Sequence, residues 1–299
     1  MENMDIKAFG YLAGELPDRV QLIEVGPRDG FQQETKMIPT PLKVKLIKAI
    51  ADAGVRQIQV TSFVNPSRVP QMADAELLIK SLPERPNVIF NALVLNSRGL
   101  MRALGAGVKS VEISVSASDT HSIKNTGMSR DQALSDARRM IESAKKSGCH
   151  VRAGIQCAFG CVYEGQIPQS LIAEIASGYL AQGIDMLAIA DTTGMASPPL
   201  VASLLEKLSP LCAGVPLILH LHDKKGMGFH NMVAGMAAGV GHFDTGLGGL
   251  GGCPAIPDAV GNIDTIQAAH LLRRMNIETG IDISALERCA EEIRSFLKK

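Results

Sequence analysis

Between Val20 and Leu247 the apolar positions follow two alternating rhythms. Short runs of aliphatic and β-branched residues start at Val20, Gln57, Asn87, Ser110, Val151, Met186, Pro216 and His242, and each reads as a strand. Between them lie longer segments in which apolar residues return at helical spacing. In Pro39–Ala53, for example, Leu42, Val44, Leu46, Ile47 and Ile50 fall near one face, and Gly54 supplies the left-handed cap. The same unit recurs at Leu100–Gly107, Ala133–Gly148, Leu171–Gly183, Leu200–Leu208 and Met232–Gly239. Ile263–Asn276 and Ser284–Lys298 predict two terminal helices. Alternating strands and helices imply parallel strands joined by right-handed crossovers. Eight such units predict a (β/α)8 TIM barrel with additional C-terminal helices, a single domain over residues 1–299. A Gly-rich dinucleotide fingerprint after the first strand would favour an open doubly wound sheet, and that stretch reads Gly26-Pro-Arg-Asp-Gly30 instead.

Composition narrows the partners. Hydrophobic residues make up 46% of the 299, enough for a large core, yet aromatics are 4% and Trp is absent, so packing rests on aliphatic side chains. Lys+Arg and Asp+Glu are both 30, which gives no electrostatic case for nucleic acid or an anionic membrane as the main partner. Apolar runs all fall short of the roughly 18 residues of a membrane span. Met1–Asp18 mixes acidic and basic residues without the layout of a signal or transit peptide, so a cytoplasmic location is expected. Six scattered cysteines in a chain of this length point to reduced thiols. Cys157 and Cys161 have zinc-compatible spacing, but no second pair matches them.

The polar groups that remain collect where the predicted strands end, the face on which barrels of this kind place their chemistry. His220 and His222 are two apart in Leu217–Asp223, read as a strand, so both imidazoles leave one face with Cα atoms roughly 7 Å apart. Asp29 follows strand one and Asn262 follows strand eight. Two imidazoles, a carboxylate and an amide suit a divalent ion such as Mn²⁺, Mg²⁺, Co²⁺ or Zn²⁺ rather than Ca²⁺. Arg28, beside Asp29, is placed to stabilise an enolate oxygen, or else to form a salt bridge at the rim. Gly246–Gly252 holds five glycines in seven residues and reads as a phosphate cradle, a flexible loop or a lid. Cys253 at its end favours a lid that carries a thiol toward the site.

These residues carry a resemblance. Val25-Gly-Pro-Arg-Asp-Gly30 with Gln32 and Glu34, Thr61-Ser-Phe-Val64, Val69-Pro-Gln-Met72, Tyr163-Glu-Gly165, Asp191-Thr192, His220-x-His222-Asp223, Gly248-Gly-Leu-Gly-Gly-Cys-Pro254 and Gly261-Asn262 together resemble the hydroxymethylglutaryl-CoA lyases. That group belongs with the metal-dependent barrel lyases and condensing enzymes, of which the isopropylmalate and homocitrate synthases lack the glycine-cysteine loop. The resemblance implies retro-Claisen cleavage of 3-hydroxy-3-methylglutaryl-CoA to acetyl-CoA and acetoacetate. It implies metal ligands at Asp29, His220, His222 and Asn262, with Mg²⁺ or Mn²⁺ as the ion, and catalytic roles for Arg28, Cys253, Asp191 and His220. An acyl-CoA substrate and a homodimer are implied as well. A lyase for a bulkier 3-hydroxyacyl-CoA and a condensing acyltransferase are the alternatives.

The substrate-facing positions Arg28, Gln32, Gln59, Gly154 and Ala188 do not all follow the family. Glu usually stands at Gln59, Tyr at Gly154 and Ser at Ala188. Thr35 and Pro66-Ser67-Arg68 replace a basic residue and a Pro-Lys-Trp segment. The three pocket departures predict a wider, less polar cavity whose floor has lost a negative charge, and with it a preference for a bulkier thioester.

Overall fold

The computed structural model describes residues 16–212, 214–252, 256 and 260–298. Eight parallel strands pair in chain order and close on themselves: β1 Gln21–Glu24, β2 Gln57–Ser62, β3 Ile89–Val94, β4 Ser110–Ser116, β5 His150–Gln156, β6 Met186–Ala190, β7 Leu217–His220 and β8 His242–Thr245. The ring is sealed where Gln21–Glu24 register with His242–Thr245. Around it run α1 Thr40–Asp52, α2 Ala75–Ser81, α3 Ser97–Gly105, α4 Asp119–Thr126, α5 Arg130–Lys146, α6 Gln169–Leu180, α7 Pro198–Cys212 and α8 Met227–Ala237, followed by α9 Thr265–Arg274 and α10 Ile283–Leu297. This is the expected (β/α)8 barrel with two C-terminal helices, and all eight expected strands are present.

Local chemistry explains the helix starts. Asn96, Ser118, Ser129, Asp264 and Asp282 each accept a hydrogen bond from a first-turn N–H, and at Ser129 Gln132 reciprocates in a capping box. The main core lies between strands and helices, where Leu46, Ile47 and Ile50 of α1 and Leu204, Leu205 and Leu208 of α7 are buried against the outer strand faces. Inside the barrel a second, smaller cluster joins Ile23, Val25, Met186, Ala188 and Ile218.

Three local readings differ. The chain forms helices α2 and α4, only 7 and 8 residues long, which are too short to show a clear apolar period. The Gly26–Gly30 turn is π-helical and buried, so Arg28 and Asp29 lie inside the barrel mouth and not on its exposed rim. β7 ends at His220, and His222 forms an isolated antiparallel bridge to Asn262.

Candidate active site

The residues expected as ligands converge. Ligand atoms of Asp29, His220 and His222 lie within 4.8 Å of one another. The imidazoles face Nε2 to Nε2 at 3.2 Å. Their other nitrogens are engaged, His220 Nδ1 with Asp244 Oδ2 at 2.9 Å and His222 Nδ1 with the Thr192 carbonyl at 3.2 Å. Such outer partners fix the tautomer and leave Nε2 as the free donor atom on both rings. Burial lowers the His222 pKa to about 4, aided by His220. Burial lowers that of His220 as well, but Asp244 outweighs it and the net direction is up.

Asp29 completes the corner. Its Oδ1 accepts from Arg28 and from Gln32 Nε2 at 3.0 Å, and its Oδ2 accepts from Asn262 Nδ2 at 2.8 Å and from Gly252 N at 3.3 Å. Burial raises its pKa, but Arg28 and the two histidines prevail and hold the carboxyl below its usual range. The Asn262 amide nitrogen also donates to the Leu250 carbonyl at 2.9 Å, while its Oδ1 is buried with no hydrogen-bond partner among the described residues. Two Nε2 atoms 3.2 Å apart beside a carboxylate, with an amide bonded to that carboxylate and still carrying an unsatisfied buried oxygen among the described residues, suit a divalent ion, so the donor set fits the implied metal.

Asp191 is 1% exposed just past β6. Its Oδ1 accepts from the N–H groups of Met195 and Ala196, and its Oδ2 has no partner among the described residues. Burial raises its pKa to about 6 against those two donors. The glycine loop lies tightly over the corner: an ideal Cβ on Gly251 would stand 2.0 Å from Asn262 Nδ2 and 2.7 Å from Asp29 Oδ2. Cys253, the expected thiol at the loop's end, lies outside the described residues.

A cavity of about 640 Å³ opens above these groups, with Arg28, Asp29, Gln32, His220 and His222 on its wall and the exposed cations Arg68 and Lys124 at its mouth. Gly154 and Ala188 line it as expected. Gln59 does not. It is fully buried beneath Arg28, accepts from the Arg28 Nε, and donates to Asn91 Oδ1 at 3.1 Å and Glu112 Oε2 at 2.6 Å.

The expected loss of polarity also needs correction. The space a side chain at Gly154 would enter is filled from β4, since its ideal Cβ falls 2.6 Å from Ser114 Oγ and 2.9 Å from Glu112 Oε1. The negative charge missing at position 59 stands instead on the adjoining wall at Glu112.

Sequence reasoning missed Glu112, Arg152 and Asp244. Arg152 places Nε 3.0 Å from Glu112 Oε2, and its two terminal nitrogens grip Asp244, which in turn holds His220. Asp244 is kept well below the carboxylate range: burial opposes this, but Arg152 and His220 win. A signal was present, because an arginine and an aspartate inside short buried strands are rarely tolerated unless paired.

An eight-stranded barrel whose strand ends bring two imidazoles and a carboxylate to the wall of one cavity defines a TIM-barrel enzyme with a metal-ready centre. The HMGL-like family model matches residues 19–293, and the chain belongs to that family. It is 34% identical to the mitochondrial hydroxymethylglutaryl-CoA lyase of Rattus norvegicus over 286 residues, 96% of this chain and 88% of that protein. It is 36% identical to the cytoplasmic 3-hydroxy-3-methylglutaryl-CoA lyase of Danio rerio over 288 residues, covering 95% and 85%. The HMG-CoA lyase of Acinetobacter baumannii, solved with coenzyme A and 3-methylmalate, superposes with a TM-score of 0.90 at 33% identity over 94% of this chain and 92% of that one. The hydroxymethylglutaryl-CoA lyase of Pseudomonas aeruginosa gives 0.88 at 34% identity over 95% of each chain.

Proposed function

We propose that this protein is a divalent-metal-dependent carbon–carbon lyase that cleaves a branched 3-hydroxyacyl-CoA to acetyl-CoA and a keto acid. The observation that carries the reading is the convergence of Asp29, His220 Nε2 and His222 Nε2 on one buried corner, with the Asn262 amide bonded to Asp29. A Mg²⁺ or Mn²⁺ ion held there supplies Lewis acidity that lowers the pKa of the substrate's C3 hydroxyl.

The chain's own groups do the rest. Asp191, whose Oδ2 has no partner among the described residues, takes the hydroxyl proton, while Asp244 holds His220 in the tautomer that turns Nε2 to the metal corner. As the C2–C3 bond breaks, its electrons pass to the thioester, and Arg28 donates to the developing enolate oxygen. Gln59 and Asp29 fix the guanidinium for that task. Cys253 returns a proton to the enolate carbon; this assignment rests on its position directly after Gly252, whose N–H reaches Asp29. Arg68 and Lys124 at the cavity mouth suit the phosphates of coenzyme A. The coenzyme A named in the Acinetobacter baumannii complex supports an acyl-CoA substrate.

We further propose a single domain, a cytoplasmic location and a homodimer. Among the described residues no helix is long and apolar enough to cross a membrane. The cytoplasmic relative of Danio rerio supports the location, and exposed Met101 and Leu77 on the outer helices supply apolar surface for self-association.

The test is acetyl-CoA release from 3-hydroxy-3-methylglutaryl-CoA and branched analogues with saturating Mg²⁺ or Mn²⁺. Chelation should abolish release, and His222→Ala should remove most of it together with metal affinity. A metal-loaded protein that releases acetyl-CoA from none of them would overturn the reading.

A further inference from the structure

On the cavity wall β4 and β5 run in register, with Glu112 beside Arg152, Ser114 beside Gly154 and Ser116 beside Gln156. Glu112 uses one carboxylate oxygen internally: Oε2 receives Gln59 Nε2 at 2.6 Å and lies 3.0 Å from Arg152 Nε. Oε1 points across Gly154, and among the described residues it meets no hydrogen-bond donor. Ser114 Oγ stands beside it over the same glycine, also with no protein partner among the described residues. Both residues are at least nine-tenths buried and both line the cavity. A carboxylate oxygen accepts only, and a serine hydroxyl both donates and accepts. The pair therefore offers one strong acceptor and one two-way group on the cavity wall, packed over Gly154 where a larger residue would displace them.

A bare methyl or methylene there would strip water from the carboxylate oxygen without replacing its hydrogen bonds, which costs binding. A second carboxylate would meet like charge. An alcohol fits, because its O–H donates to Glu112 Oε1 while its oxygen accepts from Ser114 Oγ. We propose that Glu112 and Ser114 form a specificity subsite for a hydroxyl on the acyl part of the substrate, so that the thioester preferred by this chain carries a hydroxylated branch at C3. The inference rests on the lyase reading for the identity of the thioester, but its recognition chemistry is tested separately.

For a 3-hydroxy-3-(hydroxymethyl)glutaryl thioester the cleavage balances as for the methyl compound. The C2–C3 bond breaks, the C3 hydroxyl proton is released, and the acetyl carbon gains one proton. The keto product keeps its hydroxymethyl group as 4-hydroxy-3-oxobutanoate.

The experiment has two arms on the metal-loaded protein. Binding of 3-(hydroxymethyl)glutaryl-CoA and 3-methylglutaryl-CoA, which lack the tertiary alcohol and cannot be cleaved, is compared by calorimetry. At least tenfold tighter binding of the hydroxymethyl compound is expected, and Ser114→Ala should shrink that ratio at least fivefold. Glu112→Gln, which keeps the side-chain length, should shrink it as well. Equal affinities, or a Ser114→Ala loss shared equally by both ligands, would overturn the subsite. The second arm measures kcat/KM for the two 3-hydroxy counterparts, and the same preference is expected. Selective binding with no acetyl-CoA from either thioester would support the subsite and sink the lyase reading, whereas turnover without selective binding would do the reverse.

Discussion

Asn262 uses its amide nitrogen twice, toward Asp29 and toward the Leu250 carbonyl, and its buried oxygen has no donor among the described residues. That orientation depends on Gly251, which passes the amide at φ +142 and so closely that any Cβ would overlap it. Gly251→Ala must therefore push the loop away from Asp29 and rotate Asn262, in addition to an unfavourable backbone that costs about 1–3 kcal/mol. Gly248 in the same loop has φ +73 and nothing among the described residues within 4 Å of an added Cβ, so Gly248→Ala is expected to meet only the backbone cost. We expect Gly251→Ala to lower metal affinity at least tenfold and Gly248→Ala to leave it within about threefold, roughly the ratios that 1.4 and 0.7 kcal/mol produce. Metal titration of both variants checks this, and equal losses would show that the loop's flexibility, not its contact with Asn262, is what matters.

At the scale of elements, Glu24 at the end of β1 joins three parts of the chain. Its Oε1 accepts from the N–H groups of Gly26 at 2.7 Å and Leu247 at 2.9 Å, and its Oε2 accepts from Thr265 Oγ1 at 2.6 Å. The strand exit, the start of the glycine loop and the first turn of α9 thus share one buried carboxyl. Burial raises its pKa to about 7, even though the three donors pull it down. Because the folded pKa lies above the unfolded one, stability from this group is full below about pH 4.5 and is lost as pH rises through 7. The full span is on the order of 3 kcal/mol, taking 1.36 kcal/mol per unit. Glu24→Gln keeps acceptor and donor but cannot ionise. Melting curves of the two proteins should nearly coincide at pH 5 and separate by pH 8, the variant being the more stable. Curves that stay parallel across that range would show that Glu24 does not titrate in the fold. The strands around Glu24 were readable because short apolar runs recur along the chain, most of them preceded or followed by glycine. The four ligand candidates were readable because strand ends in this fold gather polar groups. Helices α2 and α4 lacked a period long enough to register. The cavity wall was misread for another reason: Gly154 was judged alone, while its effect depends on Ser114 and Glu112, brought beside it only by the β4–β5 register.

Across the whole molecule, the barrel interior divides between an apolar patch and a chain of polar groups. Ile23, Val25, Met186, Ala188 and Ile218 pack on one side, and Asn91, Gln59, Glu112, Arg152, Asp244 and His220 are linked in series on the other. Arg152 is the only cation between Glu112 and Asp244 in that series, and its side chain is 1% exposed. A buried ion pair adds little over an apolar replacement of both partners, but removing one partner strands the other and costs about 3–5 kcal/mol. Arg152→Met strands two carboxylates, so destabilisation at the upper end of that range is expected. It should also reach the metal corner, because an uncompensated Asp244 takes up a proton and ceases to orient His220 as a neutral Nε2 donor. Adding Glu112→Gln removes one stranded charge and should recover part of the melting temperature. Metal affinity should stay low, since Asp244 remains uncompensated. Thermal melts and metal titrations of the single and double variants separate the two effects. If the double variant recovers both together, Arg152 acts on the barrel as a whole and not through Asp244.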